Sequence, residues 1–490
     1  MGLNAILAAL PKMKMNTSKQ RGRRLAGLGL GLLLLAASLC PAAGSLSWHK
    51  DSNRVDADLR GWQLPKLLEE IAADTGWQVY VEPEAEYTAS TKFKDLPVPD
   101  ALRLLLGNLN FAFVPQTNAP ARLYVFRTSM KEATQLVRPA PKVAKTAEAK
   151  IIPNELIVRL KPGAKIEDLA RQLGAKVTGR IDSLNAYRLK FDSAEAADAA
   201  RTALASNSEV TSVDFNYTID RPPSPQLLPG ASAPALNLQL KPPGSNGRII
   251  VGLVDTPLQS LGPNLDAFLF KSISLAGDAQ PDPNSPTHAT SMFEALLAGI
   301  QSAAGGSSSA QILHVDVYGN NPATTTWDIA LGIVQAINGG ANLVNVSSGA
   351  VVDSSFLSSA SLLADIVKQA NDKGIVIFAA AGNTHDSKPV VPAAIPGVTP
   401  VTASDGHGNI ASYASIADYV KLMAPGVLIV SFHGQSYLVV GTSVSSAFTS
   451  GAAAGIAETS NKGLPAVNTA MQNSPSFKVS LPSSSSSSKP

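Results

Sequence analysis

The sequence predicts an α/β protein built on a mostly parallel sheet with helices on both faces, preceded by two small α+β modules. Three observations carry this expectation. Between about 236 and 460, the apolar runs "RIIVGLVD", "QILHVDVYG", "ANLVNVSSG" and "GIVIFAAAGN" alternate with helical segments, as strands buried on both faces of a parallel sheet do. Two shorter stretches, 45–130 and 151–220, each run through strands and helices on a smaller scale. Proline-bearing linkers set them apart: "RPAPKVAKTAEAK" within 131–150 and "RPPSPQLLPGASAP" within 221–235. A chain of 490 residues, 45% of them hydrophobic, can fill several cores.

Residues 1–44 read as a signal peptide. "KQRGRR" at 19–24 precedes the apolar run 25–39, and "CPAAGS" supplies small residues after it. The run falls short of the roughly 20 residues that a membrane-spanning helix needs. Export is the consequence. Cys40 is the single cysteine, so the exported part holds neither a disulfide nor a thiol nucleophile. The net charge is +3, aromatic residues make up 6%, and no Lys/Arg stripe lies beyond the N-terminus. These figures speak against nucleic acid as a partner.

In the first module, "LPKLLEEIAADTG" places Leu64, Leu67, Leu68, Ile71 and Ala72 on one helical face and stops at Gly76. "WQVYVEP" is a strand, and "PDALRLLLGNL" a second helix with Pro99 at its start and Leu102, Leu105, Leu106 and Leu109 on one face. "FAFVP" and "RLYVFR" add strands. These segments resemble the short N-terminal domain shared by secretins and TonB-dependent receptors. The resemblance implies an outer-membrane partner and a secreted or periplasmic location in a Gram-negative-type envelope. In the second module, "NELIVRL", a helix with Ile166, Leu169, Ala170 and Leu173, "AYRLKF", a helix through "AEAADAARTALAS" and "VTSVDF" follow in the same manner. Residues 461–490, ending in "LPSSSSSSKP", read as a disordered tail.

In open parallel sheets, chemistry gathers beyond the carboxyl ends of the strands, and four residues stand at such points. Asp255 ends "IIVGLVD", where a carboxylate is held rigid and partly desolvated. His288 lies near the start of a helix with Ser285 as the expected N-cap, Pro286 as its first residue, and Phe293, Leu296, Leu297 and Ile300 as its buried stripe. Asn383 ends "FAAAGN", and its amide can donate to a developing oxyanion. Ser443 follows Gly441, which permits a tight passage from strand to helix, and precedes small residues through Ala454. Each has a plain structural reading: a helix cap, a core histidine, a Gly-Asn turn, a serine N-cap. Of the other histidines, His49, His314, His385, His407 and His433, none has a comparable setting, and His314 reads as a buried core residue. Taken together, the four residues fill the roles of hydroxyl nucleophile, base, orienting carboxylate and oxyanion donor.

At this point the segment 236–460 resembles a subtilisin-like serine protease. "GLVDT", "THATSM", "AAAGN" and "GTSVSSAFTSG" are similar to that family's Asp, His, oxyanion and nucleophile motifs, and the chain order Asp, His, Ser is the family's own. The resemblance implies Asp255, His288 and Ser443 as catalytic residues and Asn383 as oxyanion donor. It also implies Ser347 and Gly349 in "NVSSGA", and Ala380 and Gly382 in "AAAG", as walls for an extended peptide substrate. Residues 151–220 then resemble an inhibitory propeptide, a partner cut off at or after the Pro-rich link. Pro257, Ala289, Ser291, Ser348, Val444 and Ala447 depart from the family pattern, though none removes a catalytic group. No cofactor is expected. Calcium, which the family often carries, has no locatable site, and Asp278 and Asp282 in "GDAQPDPN" read as a solvated loop. A second reading stays open: a degenerate protease fold serving as a binding module at the cell envelope. A lipase or esterase lacks support, because no "GxSxG" elbow is present around Ser443.

Overall fold

The computed structural model describes residues 45–49, 52–116, 120–137, 143–244, 247–353, 356–357, 361–406 and 408–479. The expected signal peptide, His407 and the serine-rich end from 480 lie outside them. The chain divides into two units, 1–140 and 141–490.

In the first unit, strands Ser45–His49, Arg54–Gln63 and Thr88–Pro97 form one sheet, and Asn110–Val114, Arg122–Phe126, Gln78–Val81 and Gln135–Val137 a second. Helix Leu64–Thr75 closes at Gly76 with φ +75°, and Leu64, Leu67, Leu68, Ile71 and Ala72 are buried, as the period demands. The second helix is shorter than expected. It runs Val98–Leu106 and stops at Gly107, so Leu109 is buried from outside the helix. The module also continues past 130, because Gln135–Val137 pairs with Gln78–Val81.

The second unit starts with the module 150–220. Its sheet is antiparallel throughout, in the order Ala323–Thr325, Val210–Asp220, Lys150–Leu160, Ala186–Lys190, Lys176–Ile181, with helices Ile166–Leu173 and Ala194–Ala205. The outermost strand, Ala323–Thr325, belongs to the large domain, so one sheet spans both. Buried Asn216 fastens the junction by accepting from the Trp327 backbone N–H at 3.1 Å and the Thr326 hydroxyl at 3.0 Å. Arg159 pairs with Asp365 across the same boundary.

The large domain holds seven parallel strands in the order Leu269–Ser274, Gln311–Asp316, Ile250–Asp255, Leu343–Val346, Val376–Ala380, Thr399–Ser404, Leu422–Pro425. Alternate residues of each strand feed different cores, as the two-residue pleat requires. Val254, Leu313, Val315, Val344, Val346 and Ile377 pack with helices Thr326–Asn338 and Ser361–Asp372. Val251, Leu253, Ile312, Leu343 and Phe378 pack with helices His288–Ala304 and Thr442–Ser460. The uninterrupted apolar runs are thus explained by burial on both faces. The strand order reverses about Ile250–Asp255, which opens a crevice at its carboxyl end.

The expected disordered tail needs correcting. Leu464–Asn473 is a helix with Leu464, Val467 and Met471 buried, and the Met423 N–H donates to Phe477 O at 2.7 Å. Composition pointed to the serine run, yet the apolar spacing just ahead of it suits a docked helix.

Candidate active site

Asp255 is fully buried at the end of the central strand. Its Oδ1 accepts from the Thr256 N–H at 2.7 Å and lies 2.8 Å from His288 Nδ1, with Oδ2 at 3.0 Å from the same nitrogen. A carboxylate can only accept, so Nδ1 carries a proton, and in the neutral imidazole Nε2 is then the nitrogen with the lone pair. His288 is the first residue of its helix. The N-cap is Thr287, whose hydroxyl accepts from the Thr290 N–H at 3.2 Å, and not Ser285. Thr256 Oγ1 accepts from the Ala289 N–H at 2.9 Å and so ties the helix start to the strand end.

A further residue supports this junction from below. His314 is buried, and its Nε2 lies 2.7 Å from the Thr256 carbonyl while Nδ1 lies 2.8 Å from Ser272 Oγ. The carbonyl fixes the tautomer: Nε2–H donates and Nδ1 accepts from the serine. Burial pushes this imidazole below its ordinary pKa, so it remains neutral. The sequence pointed to a core histidine; its role as a prop of the Asp255 loop depends on a partner 58 positions away.

Ser443 is the second residue of helix Thr442–Ser460, whose N-cap is Gly441 with no side-chain cap. The serine is therefore not a capping residue. A Cβ on Gly441, at φ +146°, would sit 3.1 Å from Asn383 Nδ2, so glycine lets the amide close on the helix start. Asn383 Oδ1 accepts from the Thr442 N–H at 3.0 Å and the Thr442 hydroxyl at 3.1 Å, which turns the Nδ2 end outward. Thr442 Oγ1 accepts in turn from the Gly382 N–H at 3.1 Å. Ser443 Oγ donates to the Ser347 carbonyl at 2.6 Å and not to His288, and Ser347 Oγ donates to the Ser443 carbonyl at 3.2 Å.

Small residues bring the two helices together. A Cβ at Gly451 would meet the Leu296 carbonyl at 2.0 Å, at Gly299 the Phe448 carbonyl at 2.1 Å, and at Gly455 the Ala303 Cβ at 2.8 Å. Backbone thus lies on backbone, and the contacts advance together along both helices. The helices run parallel, with His288 and Ser443 at the same end. Buried Asn345 fixes the serine helix in place: its Oδ1 accepts from Ser446 Oγ at 2.7 Å and Ser450 Oγ at 3.2 Å, and its Nδ2 donates to Ser347 Oγ at 2.7 Å.

Two of the four expected wall residues, Gly349 and Gly382, face one side chain. Methyl groups of buried Val390 lie 2.9 Å and 2.7 Å from the Cβ positions that Gly349 and Gly382 lack. Ser347 and Ala380 are buried beside them. Asp278 and Asp282 take part in loop contacts: Asn320 Nδ2 donates to the Asp278 carbonyl, and Asp282 Oδ1 accepts from the Asn284 N–H. Among the described residues, no group of three or more His, Cys, Asp or Glu side chains is placed to hold a metal ion.

The parallel sheet thus carries a buried Asp–His pair, a serine at a helix start and an Asn amide fastened to that same helix start. In comparison with known proteins, residues 246–473 match the model of the Subtilase family, and residues 138–216 that of the Fervidolysin N-terminal prodomain. The chain therefore carries a subtilisin-like serine protease domain behind an N-terminal prodomain. It is 33% identical over 217 residues to a thermophilic serine proteinase of Bacillus sp. (strain AK1), covering 43% of this chain and 52% of that protein. It is 29% identical over 235 residues to thermitase of Thermoactinomyces vulgaris, covering 47% and 81%. The chain thus spans about half the length of the first of these relatives. A solved structure of the epidermin leader peptide processing serine protease from Staphylococcus aureus aligns with TM-score 0.49 and 16% identity, over 66% of this chain and 92% of that one.

Proposed function

We propose that this chain is an exported serine endopeptidase made as a zymogen. Ser443 attacks the peptide carbonyl, His288 Nε2 takes the proton and returns it to the leaving amine, and Asp255 holds the imidazole in the required tautomer. A rotation about the Ser443 Cα–Cβ bond exchanges the Ser347 carbonyl for the imidazole. Asn383 Nδ2 and the Ser443 N–H receive the oxyanion. An extended peptide lies against Ser347, Gly349, Ala380 and Gly382, and the reaction needs no cofactor. Residues 151–220 act as the chain's own inhibitor until the Pro-rich link is cut, and the first module docks to an outer-membrane partner.

The observation that carries this reading is the buried Asp255–His288 hydrogen bond, because a desolvated carboxylate without such a partner would be strongly disfavoured. Ser443→Ala tests it. The variant is expected to accumulate as an uncut chain with no peptidase activity, and a variant that matures unaided, seen by intact mass, refutes the assignment. The bond from Ser443 to Ser347 favours a second reading, a degenerate fold kept for binding. A fluorophosphonate probe separates the two, since only an activated serine reacts.

A further inference from the structure

The stretch Ala144–Lys150, which leads into the prodomain sheet, does not run free. Glu148 bridges Val351 in parallel register: the Val351 N–H donates to the Ala147 carbonyl and the Ala149 N–H to the Val351 carbonyl, each at 2.8 Å. Val351 stands four residues beyond Ser347, on a short strand whose other edge pairs with Val390–Val391. Further back, Thr146 Oγ1 accepts from the Asn383 N–H at 2.8 Å and lies 3.5 Å from the Cβ position that Gly382 lacks. The Ala144 carbonyl faces Asn383 Nδ2 at 3.5 Å. Lys388 Nζ meets Glu148 Oε1 at 2.9 Å, an exposed pair that sets register more than it adds affinity.

We infer that Val351, Asn383 and Lys388 form a binding site for an extended peptide, and that its resident ligand is this chain's own segment Ala144–Ala149, which thereby blocks the candidate active site from the upstream side of the prodomain. The inference rests on the role given to Asn383 above. Four features favour this occupant. It supplies a backbone donor and acceptor to the edge of Val351 opposite Val390–Val391, as added strands do. Its residues are small where they pass the glycine wall, and Thr146 offers a hydroxyl to the Asn383 N–H. Glu148 is placed to meet Lys388. Finally, the Ala144 carbonyl stands beyond the 2.7–3.1 Å at which an oxyanion donor acts, so the segment covers the asparagine amide without presenting a bond for attack.

The consequence is that the prodomain is held at two ends. Cutting the link 221–235 breaks the chain on the downstream side, where the strand pairing to Ala323–Thr325 remains, and leaves 144–149 in place. Activation then needs a second event, either a cut before Lys150 or dissociation of the segment.

The test uses the full chain with residues 144–149 replaced by a Gly-Ser stretch of equal length. Fluorophosphonate labelling of Ser443 is expected to quicken about tenfold, the factor a single well-formed hydrogen bond can carry. In a Ser443→Ala background, hydrogen exchange at the Asn383 and Val351 amides is expected to quicken likewise, with Leu253 in the central strand unchanged. A synthetic peptide Val-Ala-Lys-Thr-Ala-Glu-Ala-Lys added to the replaced chain should restore the protection, and the same peptide with valine for threonine should do so less well. Unchanged exchange at both amides overturns the site. Exchange that changes as expected, with no labelling of any form of the protein, upholds the site and refutes the peptidase reading instead.

Discussion

At the level of single residues, the candidate site is built from groups whose orientation is set by neighbours that touch no substrate. Asn383 is the clearest case. Its oxygen is held by two donors from Thr442, so the NH₂ end has only one direction in which to point, and the amide flip is decided by the network. Asn383→Ala is expected to lower the turnover of a peptide substrate by about 10² to 10³ while leaving KM nearly unchanged, as loss of a donor used only in the transition state does. Steady-state kinetics on the processed enzyme checks this, and a loss confined to KM would move Asn383 from catalysis to ground-state binding. Asp255, His288, Asn383 and Ser443 could be singled out in the sequence because each ends an apolar run or opens a small-residue helix. Asn345, Thr442, His314 and Val390 could not. Distant partners define the polar three, 58 residues away for His314, 59 for Thr442 and up to 105 for Asn345, and no local pattern marks a buried polar group that only the fold will satisfy.

At the level of elements, the helices that carry His288 and Ser443 meet through glycine. The sequence showed a run of small residues at 441–455, and the structure gives the reason: side chains there would collide with the opposing backbone. Gly451→Ala should destabilise the protein by about 3 kcal/mol or more, the upper end for overpacking, because the added carbon meets a carbonyl oxygen and not a flexible side chain. Gly455→Ala, whose nearest neighbour is the Ala303 methyl at 2.8 Å, should cost less. Denaturant unfolding of the two variants in a Ser443→Ala background would show the order, and a reversed order would contradict the packing described. Helix boundaries were less legible than helix existence. Thr287, and not the expected Ser285, is the cap because its hydroxyl is the one that reaches the Thr290 N–H.

At the level of the whole molecule, the doubly covered sheet was readable, since it follows from apolar runs that survive any packing detail. The docked C-terminal helix and the fastened linker were not, because composition marks a segment as polar or small without saying what it lies against. One buried charge bears on global stability. Glu294, on the helix of His288, accepts from the Ser431 N–H with both oxygens, at 3.0 and 3.1 Å, and burial pushes its carboxyl up to about 7. Between the ordinary carboxylate range and pH 7, the folded state therefore binds more protons than the unfolded one, so stability falls as pH rises through that window and levels off above it. Glu294→Gln should match the native chain near pH 4 and exceed it by up to about 3 kcal/mol at pH 8. Thermal or denaturant unfolding across that range gives the comparison; parallel curves for the two proteins would place the ionised carboxylate at no disadvantage.

Helix Thr442–Ser460 has another consequence, one of timing. Its sequence is rich in Gly, Ser and Thr, which are poor helix formers, and 13 of its 19 residues are buried. Such a segment has little reason to coil by itself in water. The geometry that would make Ser443 reactive exists only after sheet and neighbouring helix have enclosed it. On the proposed reading, reactivity at Ser443 therefore belongs to the enclosed helix and not to the nascent or unfolded chain.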